Sequence, residues 1–314
     1  MPDTSTAIGI DIGGTNLRAA RVSGAGEILE RVSERIDRDA NNAIGRIIDL
    51  VRQLDRPDVT AIGIGVPGRV DARRRTVLSG GYLNLAGAAL AERVETATGR
   101  PVVIDNDCNM ALVAEIAVGA GRGRENVVMF TIGTGIGGAI VQEGQILRGR
   151  GTAGQLGHIT VDVNGAACVC GRRGCVETTS SGTALARHIL EAGLPPDSSI
   201  DDILRRATKG SASSRQVLDA WVRPLRAAID SASAAFDPDL VLLGGGLGKA
   251  AFKALQKVPA LAPWYQYPVL AAELGDDAGV IGSAICALIE HRTTLPPPAA
   301  LTASPDLSVL ERPA

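Results

Sequence analysis

The chain is poor in aromatic residues, which make up 3% of its 314 positions against 45% for hydrophobic residues as a class. Stacking platforms for single-stranded nucleic acid are therefore not expected, and the core must rest on Ala, Val, Ile and Leu. Charge of one sign is equally scarce. The 32 Lys and Arg face 34 Asp and Glu, a formal net charge of −2 that argues against electrostatic binding to nucleic acid. No apolar run approaches the roughly 20 residues of a membrane span. The opening MPDTST carries no basic region, and Asp11 interrupts the apolar stretch after it. A cytoplasmic chain with no membrane partner is the expectation. Cysteine is sparse and uneven: three of the five crowd into Cys168, Cys170 and Cys175, which suits a reduced compartment and metal binding better than disulfides.

The length suggests two domains and allows about 75% of the unfolded surface to be buried. Short apolar runs at 7–12 and 17–22 read as strands around a Gly13-Gly14-Thr15 turn, followed by a hairpin turn at Gly24-Ala25-Gly26. Apolar residues from Ala43 to Leu54 recur at helical spacing, ahead of a strand at 61–66 that stops at Pro67-Gly68. Further alternation places helices at about 88–98 and 108–118 and strands at 102–104 and 127–132. Beyond the cysteines the chain reads as mostly helical to about Phe236, then as a strand at 240–243 and a last helix from about Ala278 to Glu290. Strands alternating with helices define an α/β class. The run Ile132-Gly133-Thr134-Gly135 repeats the strand-turn-strand pattern of Ile12-Gly13-Gly14-Thr15, which predicts two related domains.

Phosphate needs backbone N–H groups that no side chain obstructs, and a threonine hydroxyl adds a donor. The two Gly/Thr turns, with Gly244-Gly245-Gly246, are candidates for that work, although each alone also reads as a plain tight turn. Gly133 to Gly138 and Gly63 to Gly68 both satisfy G-x-G-x-x-G, but a strand-like run follows the first and Pro67 lies within the second, so neither fits a dinucleotide site. His158, Cys168, Cys170 and Cys175 form a Cys₃His set suited to a closed, structural zinc site. Asp105-Asn106-Asp107 follows a short buried strand, where α/β sheets tend to hold ligands. Its residues read equally as helix caps or as a carboxylate that takes a proton from a substrate hydroxyl. Asp11 either orients Mg²⁺ or caps its hairpin. Cys108 and Cys286 read as helix core, His188 and His291 as surface residues, and the aromatic run from Trp264 to Tyr267 as core first, with pocket edge or interface as the alternatives.

Together these motifs resemble the ROK family of repressors and kinases, within the actin-like ATPase folds. The resemblance covers residues 6–290. It is carried by Asp11 to Asn16, Val66-Pro67-Gly68, Asp105 to Asn109, Gly133 to Gly138, Gly157-His158 and the cysteine motif ending at Glu177. It implies two actin-like, ribonuclease H-like domains around an interdomain active-site cleft, one spanning 1–117 and the other 118–277 with a zinc loop at 157–177. It also implies that the helix at about 278–291 packs back on the first domain; the Pro-rich 292–314 segment is expected to be a disordered tail. The first strand begins by residue 7, which points to the kinase branch. By resemblance, Asp107 is the general base, while Gly68, Asn84, Asn106, Gln155, His158 and Glu177 contact substrate. Gly13, Gly14, Thr15, Thr134 and Gly135 cradle ATP phosphates, Asp11 sits near Mg²⁺, and Gly245 and Gly246 line the adenosine. The resemblance also implies a homodimer. One departure stands out: Gln155 occupies the position of a family glutamate that contacts sugar hydroxyls. A neutral amide there donates as well as accepts, which raises a C7 cyclitol as an alternative to glucose and a non-catalytic sugar sensor as a second alternative.

Overall fold

The computed structural model describes residues 5–80, 83–260, 264 and 267–292. The Pro-rich tail therefore lies outside the described residues. In the first half, chain order runs β1 (Thr6–Ile12), β2 (Asn16–Ser23), β3 (Ile28–Arg35), α1 (Ala40–Leu54), β4 (Val59–Val66), β5 (Arg69–Asp71), β6 (Thr76–Ser79), α2 (Leu90–Thr98), β7 (Val102–Asn106) and α3 (Asp107–Val118). The second half runs β8 (Val127–Ile132), β9 (Ile136–Gln142), β10 (Gln145–Ile146), α4 (Glu177–Ser180), α5 (Gly182–Glu191), α6 (Ile200–Thr208), α7 (Ala212–Phe236), β11 (Leu240–Gly244), α8 (Gly248–Leu255), β12 (Val269–Ala271) and α9 (Ala278–Arg292).

Each half is built on one five-stranded sheet, ordered β3-β2-β1-β4-β7 and β10-β9-β8-β11-β12. In both, a three-stranded antiparallel meander is extended by two parallel strands. The identical topology explains why the Gly/Thr turn recurs, because each lies between the first two strands of its sheet. The fold is α/β with two mixed sheets.

Hydrophobic pattern set most boundaries. α1 buries Ala43, Ile44, Ile47, Leu50, Val51 and Leu54 on one face, and Asp39 caps it by accepting from Asn41 N and Asn42 N. The helix expected from residue 88 starts at Leu90, because Ala89 adopts a left-handed conformation with φ of 50°. β3 carried no apolar run to announce it. It is an edge strand of half-buried and exposed residues in which charged Glu30, Arg31, Glu34 and Arg35 intervene.

The last helix returns to the first sheet. α9 packs on β1, β4 and α3, and the approach is close enough to require glycine. A Cβ on Gly9 would lie 1.8 Å from the Val280 carbonyl oxygen, one on Gly63 1.8 Å from that of Ser283, and one on Gly282 1.7 Å from that of Met110. Backbone is thus pressed on backbone along this helix. The second half has its own core, in which Trp221 is fully buried and its indole N–H donates to the Ser181 carbonyl at 3.1 Å. Trp264, read first as core, is instead 89% exposed, and of the two described residues of that run it is Tyr267 that packs against the core. Among the described residues, no helix is long and apolar enough to cross a membrane.

Candidate active site

The β1–β2 and β8–β9 turns face one cleft of about 830 Å³, whose wall also includes Gly68, Asn106, Asp107, Gln155 and Glu177. A pocket of about 370 Å³ shares Asp11 and Asp107 with it and continues along Gly244, Gly245 and Gly246 toward Lys249 and Asp276. Both volumes fall within the range of small-molecule sites. Each turn is closed by its own backbone bond, Gly13 N to Asn16 O at 3.0 Å and Gly133 N to Gly135 O at 2.9 Å. The second turn is also pinned from outside. Gly182 N donates to Gly133 O at 2.7 Å, Thr183 Oγ1 to Thr134 O at 2.9 Å, and Ile136 N to Glu177 Oε2 at 2.9 Å. Gly245, at φ +77°, lets its chain pass over Ile132, where a Cβ would meet backbone at 2.6 Å.

Asp107 opens α3 at the junction of the two halves. The preceding Asn106 is the cap: its Oδ1 accepts from Cys108 N at 2.9 Å and Asn109 N at 3.3 Å, and its Nδ2 donates to Gly68 O at 2.8 Å. The capping role weighed for this triplet therefore falls to Asn106, and Asp107 is left facing the cleft with Oδ1 accepting from Cys108 N at 2.9 Å. Burial, and then the negative charge of Asp11, push the Asp107 carboxyl up to about 6. Burial also raises Asp11, against the pull of Arg18, whose Nη1 lies 3.2 Å from Asp11 Oδ2. Cys108 packs against a core cluster from α3, as expected, and it also lines the cleft: its thiol lies 3.1 Å from Thr131 Oγ1, and burial followed by the Asp107 charge raises its pKa.

The donor atoms of His158, Cys168, Cys170 and Cys175 all lie within 4.8 Å of one another. Cys168 Sγ is 3.6 Å from His158 Nδ1, and Cys170 Sγ is 3.6 Å from Cys175 Sγ. Tetrahedral zinc with Zn–S bonds of about 2.3 Å sets ligands roughly 3.8 Å apart, so the spacing fits that ion. The backbone N–H of Arg172 helps hold the Cys170 thiol down at about 7, while burial and the adjoining thiols push Cys175 up to about 12. Turn-type backbone bonds cross this loop, among them Cys168 N to Arg172 O and Gly174 N to Ala166 O, both at 2.8 Å, and its β-pairing consists of the isolated bridges Thr160–Cys175 and Ala167–Arg173. Leu156–His158 forms a single 3₁₀ turn that carries His158 beside Gln155.

Most of the expected site residues thus converge. Asn84 and His158 do not line either pocket: Asn84 is exposed, with its Oδ1 accepting from Ala86 N at 3.1 Å, and His158 sits with the three cysteines. His188 is less of a surface residue than expected, since Nε2 lies 2.9 Å from the Thr179 carbonyl oxygen. The sequence reading missed Arg38, which lines the cleft. It also missed Glu115, a fully buried carboxylate that accepts from Ala120 N at 2.9 Å, Glu273 N at 3.2 Å and Leu274 N at 2.9 Å. Neither lies in a motif, and no spacing marks them.

A glycine-walled cleft at the junction of two sheets of equal topology, with the raised carboxylates of Asp107 and Asp11 on its wall, defines a kinase of the actin-like type. The chain belongs to the ROK family, whose model matches residues 7–290, and within that family it is a sugar kinase. It is 32% identical over 302 residues to a glucokinase of Thermotoga maritima, covering 88% of this chain and 95% of the relative. An N-acetylmannosamine kinase of Yersinia pseudotuberculosis is 30% identical over 285 residues, covering 89% and 97%. Among solved structures, a ROK glucokinase of Streptomyces griseus in complex with glucose and AMPPNP superposes with a TM-score of 0.77 at 32% identity, covering 91% of this chain and all of that one.

Proposed function

We propose that the chain transfers the terminal phosphoryl group of ATP to the primary hydroxyl of a hexose, with glucose the first candidate and Asp107 the general base. The observation that carries this reading is the convergence of both Gly/Thr turns and the Asp107 carboxylate on one cleft. A carboxylate with a pKa near 6 is ionised at neutral pH yet basic enough to draw the proton from a hydroxyl as the O–P bond forms. Backbone N–H groups of Gly13, Gly14, Thr15, Thr134 and Gly135 hold the phosphates, and the Gly245-Gly246 turn receives the adenosine. Asp11, within the cleft and near Asp107, is placed to orient the hydration shell of Mg²⁺, which neutralises phosphate charge when bound. Asn106, Gln155, Glu177 and Gly68 hold sugar hydroxyls. His158, Cys168, Cys170 and Cys175 hold a structural Zn²⁺ that orders the loop carrying Gln155 and Glu177, and do no chemistry themselves.

In this reading residues 118–277 close over residues 1–117 and α9, excluding water so that ATP is not hydrolysed when no sugar is bound. The enzyme works in the cytoplasm as a homodimer, which light scattering on the purified chain tests. The C7-cyclitol alternative gains no support, since the relatives above are named for glucose and N-acetylmannosamine. The test is ADP release with MgATP across glucose, mannose, N-acetylglucosamine, N-acetylmannosamine and a valiolone-type cyclitol. Turnover on glucose is expected. Binding of a sugar with no ADP formed from any acceptor would overturn the reading in favour of a sensor.

A further inference from the structure

Asp105 is a buried carboxylate, 2% exposed, that the mechanism above leaves unused. It is the penultimate residue of β7, one before Asn106. Its Oδ1 accepts from Asn106 N at 2.7 Å and from Asn109 Nδ2 at 2.9 Å, so one oxygen braces the backbone and first turn that present Asp107. The other oxygen, Oδ2, accepts from Arg148 Nε at 2.7 Å. Arg148 belongs to the other half of the molecule, just after β10, and its guanidinium also reaches Glu290 Oε1 of α9 at 3.8 Å.

The residues immediately after Arg148 give the pair its meaning. The Arg148 carbonyl accepts from Gly151 N at 2.9 Å and Ala153 N at 3.4 Å, folding residues 148–153 into a compact loop. That loop leads to Gln155 and the 156–158 turn, the segment assigned above to sugar hydroxyls and to the metal. It also rests on the first half, because a Cβ on Gly151 would lie 2.8 Å from the Val70 carbonyl oxygen. One carboxylate therefore grips both the segment that carries the base and the segment that faces the sugar.

We propose that Asp105 and Arg148 are positioning residues that set the separation of the Gln155–His158 segment from Asp107, and so govern sugar recognition without touching the sugar. The inference rests on the kinase reading. A buried carboxylate beside a planar guanidinium is a directional contact, stronger than a neutral hydrogen bond and harder to rebuild with a different donor. Losing it frees the loop that carries Gln155, while the Gly/Thr turns, closed by their own backbone bonds, keep their shape.

The test is steady-state kinetics of Arg148→Ala, Arg148→Lys and Asp105→Asn with glucose as acceptor, beside Asp107→Ala and with thermal unfolding of each. Misplacement by about 1 Å costs on the order of 100-fold in a positioned reaction. Arg148→Ala is expected to raise the glucose KM by roughly 10- to 100-fold, leave the ATP KM within about twofold, and be partly rescued by Arg148→Lys. Should the alanine variant not fold, the same split is expected, smaller, in Asp105→Asn and Arg148→Lys. An unchanged glucose KM, or glucose and ATP KM values rising together in step with lost stability, overturns the positioning role. Retained turnover in Asp107→Ala overturns the assignment of the base, and no ADP release by the parent with any acceptor overturns the kinase reading, so these failures are separable from that of the positioning role.

Discussion

Replacing Asp107 with Asn should damage activity and improve stability, with both effects traced to the same raised carboxyl. In the native protein the group titrates at about 6 against an ordinary value of 3.8, with burial the first cause and the Asp11 charge the second. Two pKa units correspond to about 3 kcal/mol. Below about pH 4 native and unfolded chains both hold the proton and no cost arises. Between pH 4 and 6 the unfolded chain releases the proton that the native chain keeps, so native stability falls as pH rises. Above 6 the cost is complete. Asn carries no charge and its amide oxygen accepts from Cys108 N as Asp107 Oδ1 does, so Asp107→Asn should gain up to about 3 kcal/mol at pH 7.5 and nothing at pH 4. Because the side chain is partly open to the cleft, that figure is an upper limit. Meanwhile kcat should fall by about 10²- to 10⁴-fold, and the acid limb of kcat/KM, expected near pH 6 in the parent, should vanish. Denaturant unfolding across pH, paired with rate profiles, reads both. A variant no more stable than the parent at pH 7.5, or one that keeps the acid limb, would refute the reasoning.

The remaining expectations are simpler. Elemental analysis should find one zinc per chain; its removal should expose the 157–177 loop to proteolysis and weaken ATP as well as sugar binding in calorimetry, because Glu177 ties that loop to Ile136 N of the phosphate turn. Gln155→Glu should change the glucose KM several-fold while the ATP KM stays put, and equal movement of both would deny Gln155 its place at the sugar. Gly63→Ala should destabilise by at least about 1–3 kcal/mol in denaturant melts, since its methyl would meet the Ser283 carbonyl oxygen at 1.8 Å.

Local chemistry was legible wherever a short segment carried the whole signal. The zinc ligands lie within 18 residues of one another, their donor types are distinctive, and the structure gathers the same four. The Gly/Thr turns were visible as interruptions between apolar runs, and the repeated turn announced the repeated sheet. What stayed hidden depends on partners far along the chain. Arg148 meets Asp105 across 43 positions, Glu115 meets Glu273 and Leu274 across 158 and 159, and neither pairing leaves a periodic trace. Gly9 reads as an ordinary strand residue and Gly63 as part of a G-x-G-x-x-G run out of its context, and it is the backbone of α9 that explains why no side chain fits at either. β3 was missed for the opposite reason: an edge strand with charged residues has no apolar stripe to read. Trp264 shows that an aromatic cluster is not by itself evidence of burial.

The return of α9 to the first sheet has a consequence for synthesis. β1, β4 and α3 emerge from the ribosome early, but the helix that fills the glycine-lined groove between them begins at Ala278, about 160 residues after α3 ends. At about 5–20 residues per second the nascent chain waits roughly ten to thirty seconds with that groove uncovered. The second half, whose sheet and Trp221-centred core lie between, can close on itself in the interval. Completion order is thus inverted relative to chain order, and a ribosome stalled before residue 278 leaves a chain whose first half has no lid over its own backbone.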